Sequence, residues 1–279
     1  MSRVAVVGDV GGHLELLVTA LSELGATVEG GLVTLPDDLV VIQVGDLVHR
    51  GPDSAGVLRL VDRALREQPL QWVQLVGNHE QLYVDRPVFR WPEPIDTDDA
   101  ELLRRWWASG LMRPAAAFTD GGGREWLVVH GGVTAEFWRD VLRRPRSAQA
   151  AAAAVTALAT SGDMRFWAPG VKLGGEVNRW AGPVWAAAGP ELYASWLARC
   201  AQKGTAPPFA QIHGHSQAAP WDPARMPAEL AGVLTVDRLA RHQWCDVGGV
   251  PLVGIDPVHG RSGASSWRPL VFEGATLSG

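Results

Sequence analysis

Five short segments rich in Gly, Asp, Asn and His recur along the chain, and six of its eight histidines lie inside them. In chain order they read GDVGGH (8–13), GDLVHRGPDS (45–54), GNHE (77–80), VHGG (129–132) and HGHS (213–216). Imidazole and carboxylate side chains are ligands for divalent metal ions, whereas core packing gives no reason to collect them beside glycine. The repetition therefore predicts a metal site.

The ligand types limit the metals that such a site would bind. The segments offer oxygen and nitrogen ligands, and both cysteines, Cys200 and Cys245, lie outside them. Oxygen and nitrogen ligands favour Mn, Fe, Zn or Mg over softer metals. Two cysteines also provide no disulfide framework, and the N-terminus leaves no room for a signal peptide, so we expect a cytoplasmic protein.

Apolar runs lead directly into the first three segments. The predicted elements alternate between strand and helix over residues 4–7, 14–24, 39–44, 54–67 and 71–76. A βαβαβ order predicts parallel strands joined by right-handed crossovers. Asp9, Asp46 and Asn78 lie just after the three strands. Because the carboxyl ends of parallel strands meet at one edge of a sheet, we expect these side chains to converge.

The rest of the chain is predicted to add a second, more antiparallel sheet. The predicted strands cover 126–129, 209–212, 233–236, 252–255 and 269–272, and the predicted helices cover 98–109 and 136–161. The first two of these strands end at His130 and His213. Asp98 is predicted to cap the first of these helices, with Glu101 as its partner. The chain has no internal repeat or linker, which favours one domain with two packed sheets.

Charge and hydropathy exclude several classes of partner. The formal net charge is −5, which argues against binding to duplex nucleic acid or to an anionic membrane. No run approaches 18 apolar residues, so we expect no transmembrane helix. The sequence does not indicate an oligomeric state.

The order of the five segments resembles the calcineurin-like metallophosphoesterase superfamily. The resemblance spans about residues 4–216 and is closest to the phosphoprotein phosphatase branch, which also includes bacterial diadenosine tetraphosphatases. It implies an α/β (α+β) four-layer fold, with a central β-sandwich of two mixed sheets flanked by helices. Residues 1–279 would form a single metallophosphoesterase domain, with 85–125 and 135–208 as partly helical insertions or cap segments.

The resemblance also implies a dinuclear metal centre, with Mn as the first expectation and Fe, Zn or Mg as alternatives. Its implied metal ligands are Asp9, His13, Asp46, Asn78, His130 and His215. Asp46 would bridge both ions, Asp9 would bind the first ion, and Asn78, His130 and His215 would complete the second. His79 would be the general acid, Arg50 would clamp the phosphate, and Asn78 and His49 would join Arg50 in substrate binding.

Three departures from the family pattern leave alternatives open. The family places a His where this chain has Gly11, so either His13 reaches the first metal through a shifted turn or that metal loses a ligand. The family places an Asp where this chain has His49, so His79 would be less basic or would use another carboxylate such as Asp53. A second phosphate-binding Arg is missing from residues 186–188, or Arg179 supplies it.

Other histidines and acids have simpler interpretations. We expect His213 to face the opposite side of its strand from the site. His242 and His259 are interpreted as surface or loop residues, and Glu80 is expected to steady the backbone without touching metal.

The resemblance implies hydrolysis of phosphomonoesters, including phosphoserine or phosphothreonine, by in-line attack of a metal-bridging hydroxide. One alternative is a hydrolase of dinucleotide polyphosphates, favoured by His49 and by the Trp-rich region 91–107, because Trp can stack on a base. The other alternative is a non-catalytic binding protein on the same scaffold. The expected partner is a phosphorylated substrate, either a phosphoprotein or a nucleotide-like small molecule.

Overall fold

The computed structural model describes residues 2–259 and 267–278, and within them the chain forms fourteen strands and seven α-helices. The strands are β1 Arg3–Val7, β2 Thr27–Glu29, β3 Leu32–Thr34, β4 Leu39–Gln43, β5 Trp72–Leu75, β6 Met112–Arg113, β7 Ala116–Thr119, β8 Glu125–Val128, β9 Ala210–His213, β10 Leu234–Asp237, β11 His242–Val247, β12 Val250–Gly254, β13 Leu270–Glu273 and β14 Thr276–Leu277. The helices are α1 Leu14–Glu23, α2 Ser54–Glu67, α3 Asn78–Val84, α4 Thr97–Ser109, α5 Ala148–Thr160, α6 Val171–Gly174 and α7 Ala194–Lys203.

The first sheet has the order β13-β1-β4-β5-β6. Strands β1, β4, β5 and β6 are parallel, and β13 runs antiparallel to β1. The crossovers through α1 and α2 confirm the predicted βαβαβ order. A short hairpin, β2–β3, follows α1 and was not predicted, because its strands have only three residues each and are partly exposed.

The second sheet has the order β10-β11-β12-β9-β8-β7-β14. Strands β8, β9 and β12 are parallel, and the remaining pairs are antiparallel, so the sheet is mixed. The sequence predicted β8, β9, β10, β12 and β13 and missed the other strands of the second half. Strand β11 was missed because polar residues interrupt its apolar pattern.

The two sheets pack face to face. Alternate residues of a strand point to opposite sides, so one set of side chains from each sheet faces the other sheet. Val6 of β1 and Ile42 of β4 lie in one apolar cluster with Val128 of β8 and Ile212 of β9. The intervening residues, such as Val41, face helices that cover the outer sides of the sandwich. The predicted four-layer arrangement of two mixed sheets flanked by helices is therefore confirmed.

Two predicted helix boundaries were wrong. Helix α4 is capped by Asp96 instead of Asp98, and the Asp96 side chain accepts a hydrogen bond from the Asp99 N–H at 2.8 Å. The predicted helix over 136–161 is divided into a π-helical turn, Phe137–Val141, and α5. Between them Arg143 and Arg144 have positive φ angles, and the following Pro145 is incompatible with a continuing helix.

None of the helices in the described part of the chain combines the length and the apolar character that crossing a bilayer requires.

Candidate active site

Strand ends from both sheets meet at one edge of the sandwich and bring five polar side chains together. Asp9, Asp46 and Asn78 follow β1, β4 and β5 of the first sheet, whereas His130 and His215 follow β8 and β9 of the second. All five are buried. The convergence predicted for the first three residues is confirmed, and it extends to both histidines.

The distances within this group are those of a potential metal site. One ligand atom each from Asp9, Asp46 and His130 lies within 4.8 Å of the others. The Asn78 Oδ1 atom lies 3.0 Å from His130 Nε2 and 2.9 Å from His215 Nδ1. The backbone N–H of His215 also donates to the Asp9 carboxylate at 3.1 Å, which links the two sheets at the site.

The electrostatics of the group suit a bound cation. Burial raises the pKa of Asp9 well above its usual range, and the nearby charges of Asp256 and Asp46 add to this effect. Burial also lowers the pKa of His215, which keeps that imidazole neutral and able to act as a ligand. The buried His215 Nε2 has no hydrogen-bond partner among the described residues. Carboxylate, amide and neutral imidazole donors together fit a divalent ion.

A buried carboxylate behind the group fixes the ends of β4 and β5. Glu80 is fully buried and accepts backbone hydrogen bonds from Asp46 at 2.7 Å, Leu47 at 2.8 Å and Gly77 at 2.8 Å. Asp46 is held with a positive φ of 55°, and its Oδ1 accepts from the His79 N–H at 3.0 Å. The geometry agrees with the predicted role of Glu80 as a support for the backbone.

Glycine is required where these strand ends approach each other. At Gly45, which has a φ of 104°, an added Cβ would lie 2.5 Å from the Gly77 nitrogen. Any side chain at this position would therefore push β4 and β5 apart and separate Asp46 from Asn78.

His79 lies beside the metal group, which consists of Asp9, Asp46, Asn78, His130 and His215. The His79 ring makes two different contacts. Its Nε2 is 3.9 Å from Asp46 Oδ2, and its Nδ1 is 2.7 Å from His49 Nδ1. Burial lowers the pKa of His79 to about 4, although Asp46 opposes this effect.

His49 supports His79 from behind. Its Nε2 is 2.6 Å from the Tyr83 hydroxyl, and its ring stacks on Trp91 with centroids 5.1 Å apart. Burial lowers the pKa of His49 to about 3, so the ring is neutral. Because His79 and Tyr83 engage both ring nitrogens, the arrangement favours a supporting role for His49 over the substrate contact predicted from the sequence. The alternative support by Asp53 is not observed, since that carboxylate caps α2 through the Gly56 N–H.

Arg50 borders the site with a positive φ of 64°. Its guanidinium lies 5.8 Å from the centre of the Trp91 ring. Both side chains line a cavity of about 230 Å³, together with the acidic residues Glu93, Asp96 and Asp99. A larger cavity of about 870 Å³ lies away from these strand ends, where α4 and α5 border β7.

His13 follows the end of β1 through a turn that contains two glycines. It is buried at the start of α1, and its ring lies 5.0 Å from the ring of His259. Gly11 and Gly12, both with positive φ, carry the chain past β4 by donating to the Asp46 and Leu47 carbonyls. Among the described residues, His13 is not part of the cluster formed by Asp9, Asp46 and His130. Its role as a ligand stays a prediction.

Two further histidine interpretations can be compared with the structure. His213 is buried and faces away from the metal group, with its Nε2 2.8 Å from the Tyr193 hydroxyl, as predicted. The interpretation of His242 as a surface or loop residue was wrong, since it is buried in β11, whereas His259 lies in a loop as predicted but is buried there. His242 bonds the Arg268 carbonyl at 2.8 Å, which explains how a polar ring is accommodated there.

The structure adds a cation and a carboxylate that sequence reasoning missed. Lys172 Nζ donates to the His215 carbonyl at 2.9 Å, whereas Arg179, the alternative predicted from the sequence, lies 3.6 Å from Glu136. Asp256 is buried near Asp9, and its pKa is raised by burial. Asp256 directly follows the predicted strand 252–255, so the strand-end rule could have found it. Lys172 had no comparable signal.

Comparisons with known proteins give the family context of this site. The sequence model described as calcineurin-like phosphoesterase matches residues 2–167. A segment of 77 residues is 34% identical to the asymmetrical bis(5'-nucleosyl)-tetraphosphatase of Oceanobacillus iheyensis, covering 28% of this chain and 30% of that protein. A segment of 84 residues is 40% identical to serine/threonine-protein phosphatase 1 of Salmonella typhimurium, covering 30% and 32%. The matched segments thus span about a third of these relatives.

The fold comparison covers nearly all of the chain. A cold-active protein-tyrosine phosphatase from a psychrophilic Shewanella species superposes with a TM-score of 0.54 over 98% of this chain and 76% of that one. The sequence identity is 16%, so this likeness concerns the fold alone. The family match, by contrast, covers more than half of the sequence and four of the five converging strand ends, all except that of β9. The chain therefore belongs to the calcineurin-like phosphoesterase family.

Proposed function

We propose that the chain is a divalent-metal-dependent phosphoesterase that hydrolyses phosphomonoesters, phosphoserine and phosphothreonine among them. The observation that supports this most directly is the approach of Asp9, Asp46 and His130 to within 4.8 Å, beside His79. A buried carboxylate pair with neutral imidazoles is costly without a cation, and it is the donor set that divalent ions accept.

Asp9, Asp46, Asn78, His130 and His215 would hold the metal ions, with Mn as the first expectation. When bound, such ions activate a water molecule and neutralise charge on the phosphoryl group. Asn78 Oδ1 lies 3.0 Å from His130 Nε2 and 2.9 Å from His215 Nδ1, so these three atoms could bind one ion together.

The remaining residues would bind the phosphate and protonate the product. Arg50 offers a planar guanidinium that can pair with two phosphate oxygens. Lys172 adds a second positive charge beside His215 and takes the place of the missing second Arg. His79 would donate a proton to the leaving oxygen from Nε2, the ring nitrogen on the Asp46 side.

The cavity beside Arg50 favours a monoester over a polyphosphate. Glu93, Asp96 and Asp99 line it, and their charges would repel further phosphate groups. The second candidate function is hydrolysis of dinucleotide polyphosphates, which the tetraphosphatase relative and the position of Trp91 beside Arg50 favour. A competition assay between a phosphopeptide and diadenosine tetraphosphate separates the two.

Hydrolysis of an aryl phosphate with added Mn²⁺ tests the proposal. We expect Asp46→Asn to abolish activity, because it removes the carboxylate that contacts both His130 and His79. Asp37→Asn is the matched control, since Asp37 is exposed at the opposite end of β4. Full activity in Asp46→Asn would contradict the assignment. Wild-type protein that neither binds Mn²⁺ nor turns over any ester would favour the non-catalytic alternative.

We also propose a cytoplasmic location. Cys200 and Cys245 are both free thiols, which supports a reducing compartment.

A further inference from the structure

Three side chains form a continuous hydrogen-bonded series that leads away from the metal group. His79 Nδ1 lies 2.7 Å from His49 Nδ1, and His49 Nε2 lies 2.6 Å from the Tyr83 hydroxyl. The series ends at Ile95, whose backbone nitrogen lies 3.3 Å from the same hydroxyl. Two imidazole nitrogens at hydrogen-bond distance must share one proton, so one ring donates and the other accepts.

The direction of the series follows from its far end. A backbone N–H can only donate, so the Tyr83 oxygen accepts from Ile95. The bond with Ile95 uses a lone pair of the Tyr83 oxygen and leaves the hydroxyl proton for His49 Nε2, which lies 2.6 Å away. Burial raises the pKa of Tyr83, so the hydroxyl keeps that proton at neutral pH. We therefore assign the hydroxyl proton of Tyr83 to its bond with His49 Nε2.

The tautomers of both rings are then determined. A neutral imidazole carries one proton, so His49 with an accepting Nε2 must carry its proton on Nδ1. That proton is donated to His79 Nδ1, which leaves the single proton of His79 on Nε2. This nitrogen is the one on the Asp46 side, 3.9 Å from Oδ2.

We propose that Tyr83 and His49 form a proton relay that fixes the tautomer of His79 and supplies its Nδ1 with a proton during ester cleavage. This inference rests on the proposed function, in which His79 is the general acid. Tyr83 and His49 are positioning residues in this relay, because both act through His79.

The proton balance of the relay closes with water as the other reactant. As the bond between phosphorus and the leaving oxygen breaks, that oxygen takes the Nε2 proton of His79. His79 Nδ1 takes the proton of His49, and His49 Nε2 takes the hydroxyl proton of Tyr83. Tyr83 is only partly buried and regains a proton from the solvent, which receives one proton from the water molecule that attacks phosphorus. The relay thus replaces the carboxylate that other members of the family place at position 49.

A series of leaving groups tests the relay. A general acid matters most when the leaving oxygen is strongly basic, so Tyr83→Phe should have unequal effects. We expect kcat to fall about tenfold to a hundredfold for an alkyl phosphate and by less than about threefold for dinitrophenyl phosphate, with KM unchanged. His49→Asn should show the same trend with a larger loss.

Tyr193→Phe is the matched control, since the other Tyr of this chain bonds His213 in the same way outside the site. It should lower activity equally, or not at all, for all leaving groups. An equal loss for all leaving groups in Tyr83→Phe would overturn the relay, because a purely structural defect has that signature.

The ¹⁵N chemical shifts of His79 give a readout that does not need activity. We expect a proton on Nε2 in the wild-type protein and a mixture of tautomers in Tyr83→Phe. A proton on Nδ1 in the wild-type protein would overturn the relay. If the wild-type protein hydrolyses none of the esters, the proposed function fails, but the ¹⁵N shifts still decide the direction of the relay.

Discussion

Replacing Glu80 with Gln removes one buried charge and changes almost no volume. Glu80 Oε2 accepts hydrogen bonds from the Asp46 and Gly77 N–H groups, and Oε1 accepts from Leu47. A Gln side chain has one acceptor oxygen, and its NH₂ group can only donate. In either orientation of the amide, an N–H group would therefore point at a backbone N–H group.

The magnitude follows from these three bonds. With the amide oxygen at the Oε2 position, two bonds survive as weaker neutral bonds and the Leu47 N–H loses its partner. A buried unsatisfied donor costs about 1–3 kcal/mol, and loss of charge assistance adds to this. We expect Glu80→Gln to lower the free energy of unfolding by about 2–4 kcal/mol. The displaced Asp46 should also weaken metal binding by about 10–100-fold.

Urea unfolding at pH 8 and isothermal titration with Mn²⁺ measure these two effects. Burial and the charge of Asp46 raise the pKa of Glu80 to about 7, so the carboxylate is ionised in the reference protein at pH 8. Glu191→Gln is the matched control. Glu191 is equally buried and also accepts three backbone hydrogen bonds, from Val171, Asn178 and Ala187, at distances of 2.7–2.8 Å.

Both variants should lose similar stability, but only Glu80→Gln should lose metal affinity. Unchanged Mn²⁺ affinity in Glu80→Gln, together with the expected loss of stability, would refute the link between Glu80 and the metal site. A loss of affinity of the same size in Glu191→Gln would refute it as well, since general loosening would then explain both results.

Three further predictions concern backbone packing, phosphate binding and acid sensitivity. Gly45→Ala should lower the free energy of unfolding by about 3 kcal/mol or more, because its Cβ would lie 2.5 Å from the Gly77 nitrogen. A urea midpoint equal to that of the wild-type protein would contradict this close approach. Lys172→Met should raise KM for a monoester about tenfold with little change in kcat, whereas Lys203→Met at the end of α7 should have no effect. If steady-state kinetics gave Lys172→Met the same KM as the wild-type protein, Lys172 would not bind the phosphate. Burial lowers the pKa of His213 from 6.5 to about 4. Between these two pH values the unfolded chain binds more protons than the folded protein, so the free energy of unfolding falls as the pH drops. This residue alone should account for a loss of up to about 3 kcal/mol. His213→Gln should therefore lose less stability than the wild-type protein between pH 7 and pH 4.5, and equal losses would show that His213 is not responsible.

The metal group could be predicted because its residues follow a local rule. Asp9, Asp46 and Asn78 come after apolar runs that form parallel strands, and such strands end at one edge of their sheet. The same rule applied to strand β12 would have included Asp256. The position of His13 depends on two glycines with positive φ that redirect the chain before α1, and such a turn is not visible in residue types alone.

The residues that support the site were not predictable in this way. Tyr83 lies on α3 and contacts His49 of the loop after β4, so the pair depends on how two elements pack. Lys172 reaches His215 from the short helix α6, in a region without clear periodicity. Neither contact has a sequence spacing that would indicate it.

The sequence by itself determined the alternation of strands and helices, the ligand types and the strand ends that carry them. These features depend on periodicity and on chain direction, which are local properties. The tertiary structure alone decided which groups neighbour His79, which cation approaches His215 and where His13 lies. These features depend on distances between segments that are remote in sequence, and packing of the two sheets and their helices sets those distances.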